Sequence, residues 1–308
     1  RPQWEDDLAH AVEDYRDHPA LAGYFIDDEP TASEFDTVAR IATALQQHDP
    51  SPLRYVNLLP QYIDTEYLGT ASYHDYVEQF ITTVKPQILS YDYYPFKEGE
   101  DRPSFFENLT TIRTLARQYN LPFMLILQAM PHLSYRDPQV EELAWQALHA
   151  LAFGAQGISY FAYWTPVDVA YAERMKFRYG LIEHGTPTRH YFQAQRLNRH
   201  LLALATALRG FRSVTVLDSH GDIAPAPPFG PIAALSGGQV TVGIFQNAVG
   251  RTAALLVNRD YRYGATVAVR LSPETSAPKF FDPQHYTWQQ GDHQHITLAP
   301  AGAQLLRW

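Results

Sequence analysis

The stretch of sequence that decides the fold reads Gly23-Tyr24-Phe25-Ile26-Asp27-Asp28-Glu29-Pro30. It begins as an apolar, strand-like segment, and a helix start follows at Thr31, where Glu34 three residues later completes a capping-box pattern. Two carboxylates therefore stand at the carboxyl end of a predicted β-strand. Because barrels and open α/β sheets bind their substrates at that edge, Asp28 and Glu29 are predicted to be functional rather than helix-capping residues.

The order of strand, polar end and helix recurs along the first 210 residues. Strand-like runs are predicted over 21–26, 54–57, 87–91, 123–128 and 157–163. Helical stretches separate them, which predicts a parallel sheet with right-handed crossovers. From residue 211 the pattern changes to short alternating strands, typical of an all-β sandwich, with an exposed Pro-rich loop at 224–228.

Composition excludes several classes of function. The 308 residues carry a formal net charge of -9 without any Lys/Arg run, so neither nucleic acid nor a membrane surface is expected as a partner. No run of 18 apolar residues is present, which predicts no membrane span. The absence of cysteine excludes disulfides and thiolate metal sites. It leaves the compartment open, with a secreted or periplasmic location slightly favoured over the cytoplasm.

Polar and aromatic residues collect at the predicted strand ends. They are Asp28, Glu29, Asn57, Tyr91, Asp92, Tyr93, Gln128, Tyr163 and Trp164. Aromatic faces stack on sugar rings, while amides and carboxylates pair with hydroxyl groups, so this set predicts a carbohydrate site. Glycoside hydrolysis further requires a protonated carboxyl group, for which Glu29 is the candidate. Packing and buried hydrogen bonding remain the alternative roles for the other residues.

Three segments carry a resemblance to a known family: residues 23–30, 90–95 and 157–164. They look like the fourth, sixth and eighth strands of (β/α)8-barrel glycoside hydrolases of the clan-A type, and the later sequence is similar to bacterial members. The resemblance implies a TIM barrel over residues 1–210 and a C-terminal β-sandwich domain over 211–308.

The same resemblance implies a function. It implies hydrolysis of a glycosidic bond in an oligo- or polysaccharide, a general acid/base at Glu29, and neither metal nor organic cofactor. Asn57, Tyr91, Tyr93, Gln128, Tyr163 and Trp164 would then bind the sugar.

The sequence departs from the family at the seventh strand. Retaining members carry a nucleophilic Glu there, and this chain has Gln128, whose amide cannot attack. Either Asp92 is the second acid, or Asp28 and Glu29 act as a pair, as in hexosaminidases whose substrate acetamido group attacks. A third alternative is a carbohydrate-binding barrel without catalysis. Asp28 and Glu29 can reach one substrate only if the strand has bulged or ended between them.

The resemblance also leaves too little chain before the fourth strand. Only about twenty residues precede it, and residues 5–15 suit the third helix. We therefore expect the chain to be a truncated or split portion of a longer protein. Five parallel strands leave an open sheet edge, so a second copy of the chain or a missing N-terminal segment is expected to complete the barrel.

Overall fold

The fold is mixed α/β, with a five-stranded sheet followed by antiparallel sheets. A computed structural model describes residues 3–166, 169–218 and 230–308. The predicted Pro-rich loop at 224–228 lies outside these ranges. None of the helices in the described ranges is long and apolar enough to cross a membrane.

The chain divides into two compact units. The first comprises residues 1–93 and 102–126, and the second comprises residues 94–101 and 127–308. The predicted division at residue 210 into a barrel and a sandwich domain stays a prediction.

The first 128 residues alternate helices and strands, as the periodicity predicts. The elements are α1 Gln3–Tyr15, β1 Gly23–Asp28, a 3-10 helix Ala32–Glu34, α2 Phe35–His48, β2 Leu53–Leu58, α3 Thr65–Leu68, α4 Tyr73–Val84, β3 Leu89–Tyr93, α5 Phe105–Gln118 and β4 Phe123–Gln128. The fifth strand of the sheet is β5 Gly157–Phe161, and the strands follow chain order, β1-β2-β3-β4-β5. The five predicted strands are confirmed, with ends that shift by up to two residues.

Helices α2 and α4 cover one face of the first strands through a shared aromatic contact. Phe35, at the start of the apolar stripe of α2, lies 5.2 Å from the ring of Tyr76 and 5.4 Å from that of Phe80, between ring centroids. All three side chains are buried. Because side chains alternate along a strand, the sheet face turned away from these helices is left for polar residues.

The remaining elements belong to the second unit. They are α6 Val140–Ala152, α7 Val169–Met175, β6 Ile182–Glu183, β7 Thr186–Pro187, α8 Arg189–Ala207, β8 Phe211–Asp218, β9 Ile232–Gly237, β10 Val240–Asn247, β11 Thr252–Asn258, β12 Ala265–Leu271, β13 Lys279–Asp282, β14 Thr287–Gln290, β15 Ile296–Leu298 and β16 Ala303–Arg307. From β8 onward two antiparallel sheets form, with orders β14-β13-β16-β11-β10-β8 and β15-β12-β9.

The central strands β10 and β11 of the six-stranded sheet are buried on both faces. Val242 belongs to an apolar core that includes Val267 of the three-stranded sheet, and Leu255 belongs to a second core that includes Leu204 of α8. Helix α6 approaches β10 so closely that a Cβ added at Gly243 would lie 2.2 Å from the backbone oxygen of Ala152. Glycine is therefore required at that position.

Candidate active site

Strand β1 bulges and then ends between the two predicted carboxylates. It pairs in parallel with β2, and the register shifts between Phe25 and Asp27, so that Ile26 is the extra residue. Asp28 still pairs with Asn57, whereas Glu29 follows the strand with a φ of 58°. Simple alternation would send consecutive side chains to opposite faces, and this left-handed residue breaks it. The geometric condition for both carboxyl groups to serve one site is therefore met.

Neither carboxylate caps the following helix. The cap is made instead by Glu34, whose Oε2 accepts hydrogen bonds from the Thr31 amide and hydroxyl, both at 2.8 Å. Between Glu29 and this cap, the Pro30 carbonyl accepts a hydrogen bond of 2.7 Å from the Tyr76 hydroxyl. Asp28 and Glu29 are thus left free for other contacts.

Asn57 joins two carboxylates in one hydrogen-bonded cluster. Its Nδ2 donates to Oδ1 of Asp28 at 3.2 Å and to Oδ1 of Asp92 at 2.9 Å. The Ser90 hydroxyl donates to Oδ1 of Asn57 at 3.4 Å, which fixes the orientation of the amide. Strands β1, β2 and β3 therefore deliver their polar ends to one place, as the sequence analysis expected from parallel strands.

Asp92 and Glu29 form a carboxyl pair within this cluster. Asp92 is 2% exposed, and its Oδ2 is buried with no hydrogen-bond partner among the described residues. Glu29 and Asp92 each perturb the pKa of the other, so the two carboxyl groups are close together in a partly desolvated place.

The electrostatics of the pair follow from burial and like charge. Burial, followed by the neighbouring charge of Glu29, raises the pKa of Asp92 well above its usual range, while the Asn57 hydrogen bond acts in the opposite direction. Desolvation also raises the pKa of Glu29, the hydrogen bond from Asp92 opposes the rise, and the charge of Asp28 adds to it. The Glu29 residue is nevertheless exposed to solvent, so its carboxyl is partly desolvated by the protein and still accessible to a ligand.

Sequence reasoning missed two members of the cluster, Tyr55 and Ser90. The Ser90 hydroxyl, which reaches Oδ1 of Asn57, also lies 3.1 Å from the Tyr55 hydroxyl. Each stands two residues before a predicted site residue, Asn57 or Asp92, and therefore on the same face of its strand. Strand alternation was the signal that could have found them.

Tyr91 and Tyr93 do not join the cluster. They flank Asp92 in the strand and so point to its opposite face, where both are fully buried. The Tyr93 hydroxyl shares a hydrogen bond of 2.7 Å with Ser104, and its ring packs against Phe105 at 5.4 Å. Their predicted contact with sugar stays untested, and this packing does not support it.

Gln128, Tyr163 and Trp164 lie in the second unit. Gln128 is fully buried, and its side chain bonds the backbone N–H and carbonyl of Phe96 and the carbonyl of Arg136, each at 2.9 Å. This is the structural role weighed as its alternative. The rings of Tyr163 and Trp164 are 61% and 47% exposed, so they remain accessible to a ligand.

Metal binding finds no support in the described parts of the chain. Within residues 3–166, 169–218 and 230–308, no cluster of three or more His, Asp or Glu side chains is arranged to hold a metal ion. The carboxyl groups of the cluster are suited to proton transfer and to stabilising positive charge.

Solved structures similar to this chain include glycosidases. A glucosidase from Croceicoccus marinus is 14% identical, covering 99% of this chain and 74% of its own, with a TM-score of 0.48. A β-galactosidase from the psychrophilic Marinomonas ef1 is 13% identical over 68% of this chain, with a TM-score of 0.47. A β-galactosidase from the Antarctic haloarchaeon Halorubrum lacusprofundi is 18% identical over 56% of this chain, with a TM-score of 0.41.

The chain spans 44% of the length of the Marinomonas enzyme and 26% of that of the haloarchaeal enzyme. No protein-family model matches the sequence. No curated protein matches it either. Since these three TM-scores are all below 0.5, the activity has to be inferred from the site itself.

Proposed function

We propose that this chain carries the acid/base site of a glycoside hydrolase, in which Glu29 protonates the oxygen of a glycosidic bond. The observation that carries the proposal is the cluster at the ends of β1, β2 and β3, where Asn57 binds both Asp28 and the buried Asp92, and where burial raises the pKa of the adjoining Glu29. A general acid must keep its proton near neutral pH, and burial beside a second carboxyl is how proteins achieve this.

The proposed fold is a (β/α)8 barrel with a C-terminal β-sandwich domain. The strand order β1-β2-β3-β4-β5 and the polar strand ends support the barrel, and the antiparallel sheets after Phe211 support the second domain. The proposed boundary lies at residue 210. A carbohydrate is the proposed substrate, and the exposed rings of Tyr163 and Trp164 are proposed to stack on sugar.

Asp28 is the proposed stabiliser of positive charge at the anomeric carbon. It follows the bulge of β1, is exposed, and is oriented by the Asn57 amide at 3.2 Å. Asp92 suits this role less, because it is only 2% exposed and its Oδ1 is already held by the Asn57 amide at 2.9 Å. With Gln128 engaged by backbone groups, the attacking group is either water or a group of the substrate.

The first test is substitution of Glu29 by Gln, which keeps the shape and removes the proton donor. Hydrolysis of a panel of nitrophenyl glycosides, with and without N-acetyl groups, is measured together with sugar binding by calorimetry. We expect kcat to fall by about 10²- to 10⁴-fold while binding persists. Unchanged turnover would remove Glu29 from the acid role.

The panel also separates the alternatives. Hydrolysis restricted to N-acetylated glycosides would indicate attack by the substrate acetamido group, with Asp28 orienting it. Sugar binding without hydrolysis of any glycoside, in the wild-type chain, would indicate a carbohydrate-binding barrel.

A further inference from the structure

We propose that Phe25 and Tyr55 form an aromatic platform on which a second sugar ring stacks, one sugar unit away from the ring whose bond is cleaved. This inference rests on the proposed function and deepens it, because it makes the substrate an oligosaccharide rather than a simple glycoside. It adds two residues to those expected from the sequence to bind sugar.

The platform lies on the face of the sheet that carries the polar cluster. Phe25 of β1 is the register partner of Tyr55 of β2, and their ring centroids are 5.0 Å apart with an angle of 34° between the ring planes. Tyr55 and Asn57 are two residues apart in β2, so their side chains point to the same face. Tyr24 points to the opposite face, where its hydroxyl donates to Oδ2 of Asp49 at 2.9 Å, at the end of α2.

The platform is open to solvent and has a polar rim. Phe25 is 58% exposed although it stands within a strand, and Tyr55 is partly exposed. The hydroxyl of Ser90 and the side chain of Asn57 border the rings. Exposed aromatic surface with a polar rim is typical of ligand-binding grooves. A sugar suits this surface, because its apolar face stacks on the rings while the rim binds its hydroxyl groups.

A contact with the cluster holds the Tyr55 ring in place. Its hydroxyl lies 3.1 Å from the Ser90 hydroxyl, which in turn reaches Oδ1 of Asn57 at 3.4 Å. The outer edge of the ring is thereby tied to the cluster, and its face is left for a ligand. Because the ring is ordered before a ligand arrives, less conformational freedom is lost on binding.

The strand geometry sets the distance between the platform and the cluster. Tyr55 and Asn57 are separated by roughly 7 Å along β2. The bulge of β1 keeps the same spacing on the neighbouring strand, since Phe25 pairs with Tyr55 and Asp28 pairs with Asn57. This spacing is comparable with the length of one sugar unit. A substrate whose glycosidic oxygen lies at the cluster therefore places a neighbouring ring over the platform.

The test compares F25L and F25W with F192L. F25L keeps apolar bulk and removes the aromatic face, whereas F25W keeps an aromatic face. Phe192 of α8 is 48% exposed, and its ring contacts that of Tyr191 at 5.4 Å between centroids. F192L therefore controls for the loss of an exposed Phe from a Phe–Tyr pair elsewhere in the chain.

The first readout is kcat and KM for methyl glycosides, which lack a second ring, and for oligosaccharides of two to four units. The cello-, manno-, galacto- and N-acetylchito-series are used. For the series that the wild-type chain hydrolyses, we expect kcat/KM to rise about tenfold at the length that first reaches the platform. F25L should lose this gain through a higher KM with kcat unchanged, because stacking stabilises the ground state and the transition state alike.

The other variants complete this test. F25W and F192L should both keep the gain with chain length. F25L that matches the wild type at every length would overturn the platform. An equal loss at every length, methyl glycosides included, would overturn it as well, because Phe25 would then support the cluster rather than a second ring.

A second readout does not depend on turnover. In wild-type chain with ¹³C-labelled Phe and Tyr rings, a tetrasaccharide of the bound series should shift the signals of Phe25 and Tyr55 and leave those of Phe192 in place. Unshifted Phe25 and Tyr55 signals with all four tetrasaccharides would overturn the platform, even if glycosides are hydrolysed. Shifted signals in a chain that hydrolyses none of them would instead refute the proposed function and leave the platform intact.

Sedimentation velocity tests the other occupant of this surface, a second copy of the chain. We expect F25L and the wild type to sediment alike. Self-association that F25L abolishes would show that another copy covers the rings, and it would overturn the proposal.

Discussion

Glu29 is held in a backbone conformation that costs stability, and substitution by glycine should recover that cost. Its φ is 58°, where an L-residue brings Cβ too close to the backbone, a cost of about 1–2 kcal/mol. Glycine has no such contact but loses about 0.5–1 kcal/mol more in conformational freedom. The difference predicts that E29G stabilises the chain by about 0.5–1 kcal/mol.

Lys85 offers a matched control, because it has a φ of 55° at the exposed end of α4, outside the cluster. K85G should gain the same strain energy and keep full activity. E29G should gain at least as much, since it also removes a carboxyl group whose charge is disfavoured, and it should lose turnover. Urea unfolding at pH 7, followed by tryptophan fluorescence, measures both variants. A destabilised E29G beside a stabilised K85G would refute the reasoning, because the conformation of Glu29 would then be favourable rather than strained.

Three further predictions concern the framework of the site. Burial raises the pKa of Asp92 in the folded state. The stability contributed by its neutral form is therefore present below the unfolded pKa of an aspartate and is lost as pH rises through the folded pKa. The unfolding free energy of D92N should match that of the wild type in urea at pH 4 and exceed it at pH 8. Y76F removes the hydrogen bonds of the Tyr76 hydroxyl to the Pro30 carbonyl and the Leu59 amide, which are 2.7 and 3.3 Å long. It should lower the unfolding free energy by about 1–3 kcal/mol and lower kcat. An unchanged kcat would show that these hydrogen bonds do not support the site. G243A places a Cβ 2.2 Å from the Ala152 oxygen and should destabilise the second unit by about 1–3 kcal/mol without changing kcat, and an unaltered denaturation midpoint would contradict the close packing of α6 on β10.

The sequence predicted the strands and the meeting of their polar ends because both depend on local pattern. Apolar runs followed by acids or amides mark strand ends, and parallel strands bring those ends together, so Asp28, Glu29, Asn57 and Asp92 could be placed in one cluster. The predicted five-stranded alternation likewise needs only periodicity and helix starts.

The sequence could not predict the conformation of Glu29 or the partners of the tyrosines. A bulge at Ile26 and a left-handed Glu29 are set by pairing with β2, which no local pattern encodes. Tyr91 and Tyr93 flank Asp92 in β3, so strand alternation places them on the opposite face of the sheet, away from the predicted sugar site. That Gln128 binds the backbone of Phe96 depends on a contact 32 residues away along the chain.

The measurement that tests the central claim most directly is the dependence of E29Q activity on the leaving group. Aryl glycosides with very acidic phenols leave without protonation, whereas poor leaving groups require a general acid. If Glu29 is that acid, E29Q should hydrolyse a dinitrophenyl glycoside at nearly the wild-type rate and lose about 10²- to 10⁴-fold on a phenyl glycoside of the same sugar. An equal loss on both substrates would contradict the account, because Glu29 would then not donate a proton to the departing oxygen.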